Sequence, residues 1–147
     1  MDPHNRYHTP STWTLVRLEQ GALMLGLILA TLVHHQDLRW GPFIAAFALI
    51  DAIGYAPGAI AFRRGGRGRI APLYHHLYNL THSFLTAGAV LALWALAIGG
   101  LEWAMTAIPI HLLGDRGLFG NTYKPAALPF EPAPVDPRRG IAGEVAA

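Results

Sequence analysis

The stretch WTLVRLEQGALMLGLILATLV, from Trp13 to Val33, decides the class of this protein. It carries only two charged residues, Arg17 and Glu19, and both lie near its start. A helix needs about 20 apolar residues to cross the roughly 30 Å hydrocarbon core of a bilayer, and this stretch is long enough. It is also longer than the apolar region of a signal peptide and follows a polar leader. We therefore expect a retained membrane-spanning helix.

Three further stretches continue the pattern: Trp40–Phe62, Leu73–Ile98 and a weaker one, Leu101–Phe119. The composition agrees, because 52% of the 147 residues are hydrophobic and only 14% are charged, against roughly 25% charged in a typical soluble domain. The sequence predicts an all-α, four-helix transmembrane bundle over residues 1–124. Residues 125–147 are predicted to form an extended proline-rich tail.

The basic residues predict the topology. With four spans, Arg39 is the only one of the 11 Lys and Arg residues on the far side of the membrane. Positive charge favours the cytoplasm, so we expect both termini inside, in the inner membrane of a bacterium. The loop between the second and third spans is expected to contact lipid headgroups or a partner protein. Its arginines are Arg63, Arg64, Arg67 and Arg69.

Composition also excludes several classes of protein. The chain has no cysteine, which excludes disulfide scaffolds, thiolate metal sites and cysteine nucleophiles. Its low charge density excludes a nucleic-acid module built on basic patches. Membrane lipid, and a larger membrane complex or a homo-oligomer, are the partners that we expect.

Ionisable side chains in hydrocarbon are costly and are functional candidates by default. Their depth in the bilayer follows from the rise of 1.5 Å per residue along a helix. Because neighbouring spans run in opposite directions, the ionisable residues of all four spans fall in the cytoplasmic half of the bilayer. The candidate metal ligands are Asp51, His82, His111, Asp115, Glu19 and His75. Residues expected beside the metal or a substrate are Asn79, Tyr55 and His76.

Imidazoles and carboxylates from facing helices are the ligand set of iron, manganese or zinc sites in helix bundles. Haem is disfavoured, since it needs only histidines and leaves the carboxylates unexplained. One hypothesis is a metalloenzyme that activates water or oxygen against a lipophilic substrate entering from the bilayer. The alternative is a non-catalytic subunit of a membrane complex, whose polar cluster holds its helices in register and whose tail docks on partners.

Two motifs add a resemblance. The segments Tyr78–His82, with the pattern Tyr-Asn-x-x-His, and His111–Arg116, with His-x-x-x-Asp-Arg, follow an early Arg17-Leu18-Glu19. Over roughly residues 15–124 the chain resembles a family of small bacterial four-helix integral membrane proteins that is defined as a domain of unknown function. A looser likeness is to membrane-bound metal-dependent hydrolases. The resemblance implies a polar signature formed by Glu19, Asp51, Asn79, His82, His111 and Asp115.

Overall fold

The computed structural model describes residues 9–65 and 68–131, and within these ranges the regular structure is helical, without a strand. Helix α1 begins after Thr9, whose hydroxyl oxygen accepts the N–H of Thr12 at 3.2 Å in a capping box. The α-helices are α1 Pro10–Val33, α2 Trp40–Gly54, α3 Ala56–Arg64, α4 Pro72–Thr81, α5 Phe84–Ile98 and α6 Ala107–Gly114.

Two helical stretches are long and apolar enough to cross a membrane, Pro10–Val33 and Trp40–Arg64. The second joins α2 and α3 through Tyr55, which caps both helices. Pro57 has no N–H to donate to the carbonyl of Ile53, and this accounts for the break in the helix at that point. Many large apolar side chains of both stretches are exposed, as expected of surfaces that face lipid.

The third predicted span is a bent pair of helices instead of one straight helix over Leu73–Ile98. Helices α4 and α5 meet at an angle of 56°. Ser83 caps the start of α5, because its side chain accepts the N–H of Leu85 at 3.2 Å. Length and composition therefore identify two candidate membrane spans, or three if this pair forms one span.

The fourth predicted span, Leu101–Phe119, is not among these candidates. A 3₁₀ turn at Trp103–Thr106 leads into the eight residues of α6, and a π-helical turn at Asp115–Phe119 follows. All of α6 except Pro109 is buried, and the helix packs against α1, α2 and α5. His111 is accommodated within this segment because neighbouring helices cover α6, whereas Leu101, Leu118 and Phe119 at the ends of the segment are exposed.

The described part of the proline-rich tail folds back onto α3 and α4. The side chain of Phe130 is fully buried in a cluster with Ala59, Phe62 and Tyr78. A Cβ atom on Gly58 would overlap the Phe130 ring, so glycine at this position makes the close approach possible. The tail therefore docks on its own chain as far as residue 131.

Candidate metal centre

Breaks in three helical segments bring four ionisable side chains together. Asp51 lies on α2, one turn before the break at Tyr55, and His82 occupies the bend between α4 and α5. His111 lies on α6, and Asp115 follows it by one turn at the start of the π-helical turn. Residues four apart on a helix share a face, so both point towards the other two.

The ligand atoms of these residues lie at separations typical of a coordination sphere. His82 Nε2 is 3.3 Å from Asp51 Oδ1 and 3.2 Å from Asp115 Oδ2. His111 Nε2 is 3.6 Å from each of the same two oxygens. In a tetrahedral zinc site with bonds of about 2.0–2.2 Å, neighbouring ligand atoms are roughly 3.3–3.6 Å apart. Asp51, His82 and His111 form a group able to hold a metal ion, and Asp115 borders both histidines.

Hydrogen bonds fix the tautomer of His82. Its Nδ1 lies 3.0 Å from the carbonyl oxygen of Tyr78 and 2.9 Å from the hydroxyl of Thr81. A carbonyl oxygen can only accept, so Nδ1 carries the hydrogen, and in the neutral ring Nε2 presents a lone pair. Metal-binding histidines are commonly held in this way by a hydrogen bond from the other ring nitrogen.

The facing atoms of the cluster have no hydrogen-bond partners within the described residues. His82 Nε2, His111 Nε2 and Asp115 Oδ2 are buried without one, despite the short separations between them. At 3.6 Å the two carboxylate oxygens are too far from His111 Nε2 for a hydrogen bond. They are close enough to His82 Nε2, but they lie off the line along which its N–H would point. Lone pairs and carboxylates that face one another require a cation between them, either protons or a metal ion.

The charges of the cluster balance with a divalent ion. Two carboxylates and two neutral imidazoles carry −2 in total, and a divalent cation neutralises this charge. His82 and His111 are almost fully buried, whereas the side chain of Asp51 is 51% exposed. An ion at this position would therefore be enclosed by the histidines and accessible from the Asp51 side.

That open side faces an apolar cavity of about 530 Å³ between α1, α2 and α6. Asp51, His111 and Asp115 line one end of it, and Phe47 packs its ring edge against His111 at 4.6 Å between centroids. This volume falls within the roughly 300–1,000 Å³ of ordinary ligand pockets. The cluster thus has a path to an apolar compartment.

Arg116 stabilises the bend that positions His82, a role that the sequence did not reveal. Its guanidinium donates to the backbone carbonyl of His82 at 3.3 Å and lies 4.3 Å from the centroid of the Phe84 ring. The bend leaves helix carbonyls without intrahelical partners, and this arginine satisfies one of them. The His-x-x-x-Asp-Arg pattern contained the residue, but its partner was not predictable from spacing.

Asp51, His82, His111 and Asp115 are called the metal cluster below. Three other candidates contact Lys124 and the tail that follows it instead. The Asn79 side chain pairs with the backbone of Lys124, accepting its N–H at 2.7 Å and donating to its carbonyl at 3.0 Å. His75 Nε2 bonds to the carbonyl of Leu128 at 3.2 Å. The Tyr55 hydroxyl donates to Glu131. These residues hold the docked tail, which contacts α4 from His75 to Asn79.

The remaining candidates that the structure describes lie on the surface. Glu19 and His76 are exposed on α1 and α4, and neither belongs to the ligand group. Among the loop arginines, Arg63 lies 3.6 Å from Glu131, and Arg67 lies outside the described residues. Arg64 and Arg69 are exposed.

Lys124 is held at the centre of the tail contacts. Its ammonium donates to the carbonyl of Phe130 at 2.7 Å and lies within 6 Å of the Tyr55, Tyr78 and Phe130 ring centroids. Burial lowers the pKa of Lys124, while Glu131 and Asp115 oppose this shift. Tyr78 also stacks on His82 at 3.9 Å between centroids, so one ring connects the tail to the metal cluster.

No family model, curated protein or solved structure matches this chain. The resemblance carried by the Tyr78–His82 and His111–Arg116 motifs therefore stays a prediction.

Proposed function

We propose that this chain is a membrane-embedded metal-binding protein. Its ion would be held by Asp51, His82 and His111, with Asp115 as the fourth ligand. The observation that carries the proposal is the meeting of two ring nitrogens and two carboxylate oxygens within 3.6 Å. Both nitrogens and the Asp115 oxygen are buried without a hydrogen-bond partner among the described residues. Protons on both rings would compensate the charge equally well, but they would make poor hydrogen bonds, because His111 is too far from the oxygens and His82 points away from them.

Among the metals that this donor set accepts, zinc suits the cluster best, and iron and manganese remain alternatives. Two imidazoles and two carboxylates suit all three ions. The four nitrogen–oxygen separations of 3.2–3.6 Å are compatible with tetrahedral coordination, which zinc adopts most readily. A divalent ion there would polarise a bound oxygen, and the adjacent cavity supports a lipophilic substrate that reaches the ion from the bilayer.

We also propose that the helices cross a bacterial inner membrane with both termini in the cytoplasm. The contacts of Arg17, Arg63 and Lys124 lie at one end of the helices, near the start of α1 and the end of α3. At the other end Arg39 is paired with Glu102 at 3.2 Å. This distribution follows the positive-inside rule. The bent α4–α5 pair and the segment of α6 would complete the four-span bundle.

Metal content of the protein purified in mild detergent tests the proposal. We expect close to one transition-metal ion per chain by elemental mass spectrometry, and loss of that ion in His82→Gln and His111→Gln. The matched control is His75→Gln, since His75 is an equally buried histidine that binds the tail. A folded wild type without metal, or equal metal in all four proteins, would contradict a metal centre.

A second candidate function is that of an accessory subunit in a membrane complex or homo-oligomer. A groove of about 460 Å³ between α2 and α5 favours it, because small residues such as Ala45, Ala46 and Ala87 line it and allow close helix approach. Partners that co-purify in fixed ratio would support this function. A monodisperse single chain that retains its metal would count against it.

A further inference from the structure

The cavity beside the metal cluster is an open groove with a polar end and a long apolar wall. Ile28 and Leu32 of α1 face Phe43 and Phe47 of α2 across it, and Asp51 lies at its inner end. Leu32 and Phe47 remain 54% and 41% exposed. The groove therefore opens sideways, between two helices that are long and apolar enough to cross a membrane.

The length of the groove limits the ligand. Trp40 lies at its far end and Asp51 at its inner end, eleven residues apart on α2. At 1.5 Å per residue this is about 16 Å. An extended chain advances roughly 1.2 Å per bond, so one chain of roughly 14 carbons fits between the two ends.

The charges at the inner end limit the head of that ligand. Asp51 and Asp115 both line it, and even when a divalent ion neutralises them, no net positive charge remains for an anionic head. A fatty-acid carboxylate would lie beside two other carboxylates. An uncharged oxygen, by contrast, is a good ligand for the ion from the exposed Asp51 side.

We propose that this groove binds a single-chain lipid with an uncharged oxygen head, such as a long-chain alcohol or aldehyde. The head lies at the metal cluster and the chain extends along α1 and α2 towards Trp40. The choice of head rests on the proposed metal centre. The position of the chain rests on the walls of the groove alone.

Photo-crosslinking with two diazirine probes of equal length, a C14 alcohol and a C14 fatty acid, tests the inference. Ile28→Trp places a large ring in the wall of the groove formed by α1. The matched control is Val90→Trp, which places the same side chain in the groove between α2 and α5. We expect the alcohol to label α1 and α2 at least tenfold less in Ile28→Trp, with no change in Val90→Trp. Metal content stays unchanged in both variants.

Equal labelling of Ile28→Trp and wild type, or labelling by the acid as strong as that by the alcohol, overturns the inference. If Ile28→Trp does not fold, Leu32→Trp replaces it: it shortens the groove, so it should exclude the C14 alcohol and still admit a C8 alcohol. If the protein contains metal but the alcohol probe does not label the groove, only the lipid site is refuted. If the protein contains no metal, but the alcohol labels the groove and Ile28→Trp abolishes this labelling, the metal centre is refuted and the lipid site is supported.

Discussion

Replacing Asn79 by alanine distinguishes two roles for this residue. The sequence predicts a place beside the metal, whereas the structure shows a contact that holds the tail. The structure gives its amide two hydrogen bonds to the backbone of Lys124, at 2.7 and 3.0 Å. Each such bond contributes about 0.5–1.5 kcal/mol net, so Asn79→Ala should weaken docking of the tail by about 1–3 kcal/mol. Because 1.4 kcal/mol is a factor of ten, the undocked fraction should rise roughly 5- to 150-fold.

Thiol labelling measures this change directly, since the chain has no cysteine of its own. Ala59→Cys places a reporter in the buried cluster beneath Phe130, where a maleimide reacts only when the tail undocks. If docking is faster than labelling, the reaction rate follows the undocked fraction. The matched control is His76→Ala, an exposed substitution on the same helix.

The metal content of the same proteins completes the experiment. We expect Asn79→Ala to retain its metal, because its side chain contacts the tail. Loss of metal with an unchanged labelling rate would refute this assignment and return Asn79 to the metal site. An unchanged rate with metal retained would show that the two hydrogen bonds do not hold the tail.

Three further expectations follow from the packing and the chemistry. Gly54→Ala should lower the melting temperature of metal-free protein in detergent and reduce metal uptake. The Cβ of the new alanine would overlap the Thr81 hydroxyl, which positions His82. An unchanged melting temperature would contradict this expectation. Phe130→Ala should weaken tail docking by about 3–5 kcal/mol, the usual cost of truncating a buried phenylalanine. Leu128→Ala changes a half-exposed side chain, so the maleimide should react with Ala59→Cys at the wild-type rate in that variant. Equal rates in the two variants would exclude Phe130 as the anchor. Metal affinity in a titration should fall as the pH is lowered, since protons compete with the metal for the ring nitrogens. A pH-independent affinity would exclude histidine ligands.

The meeting of Asp51, His82, His111 and Asp115 was largely predictable from the sequence because depth and helical spacing are local properties. Asp51 lies centrally in a long apolar stretch, and His111 and Asp115 share a face by their spacing of four. His82 was predictable from depth as well. Its orientation was not, because it depends on the bend at Ser83, whose capping role competes with the continuation of an apolar helix.

The tail contacts could not be predicted. His75, Asn79 and His82 have spacings that place them on one helical face, and this spacing predicts a shared site. The structure divides them because the docked tail covers the first two and the helix ends before the third. A proline-rich segment has no helical or strand period, so nothing in its pattern reveals that Phe130 is an anchor.

The central claim is that two histidines and at least one carboxylate bind one metal ion. X-ray absorption at the edge of the bound metal tests it most directly, in wild type and in His82→Gln. In wild type we expect only nitrogen and oxygen neighbours at about 2.0–2.2 Å, with the multiple scattering of two imidazoles. His82→Gln should show no absorption edge above background, because it is expected to lose the ion. A bound ion without imidazole scattering, or a spectrum that His82→Gln leaves unchanged, would contradict the proposed centre.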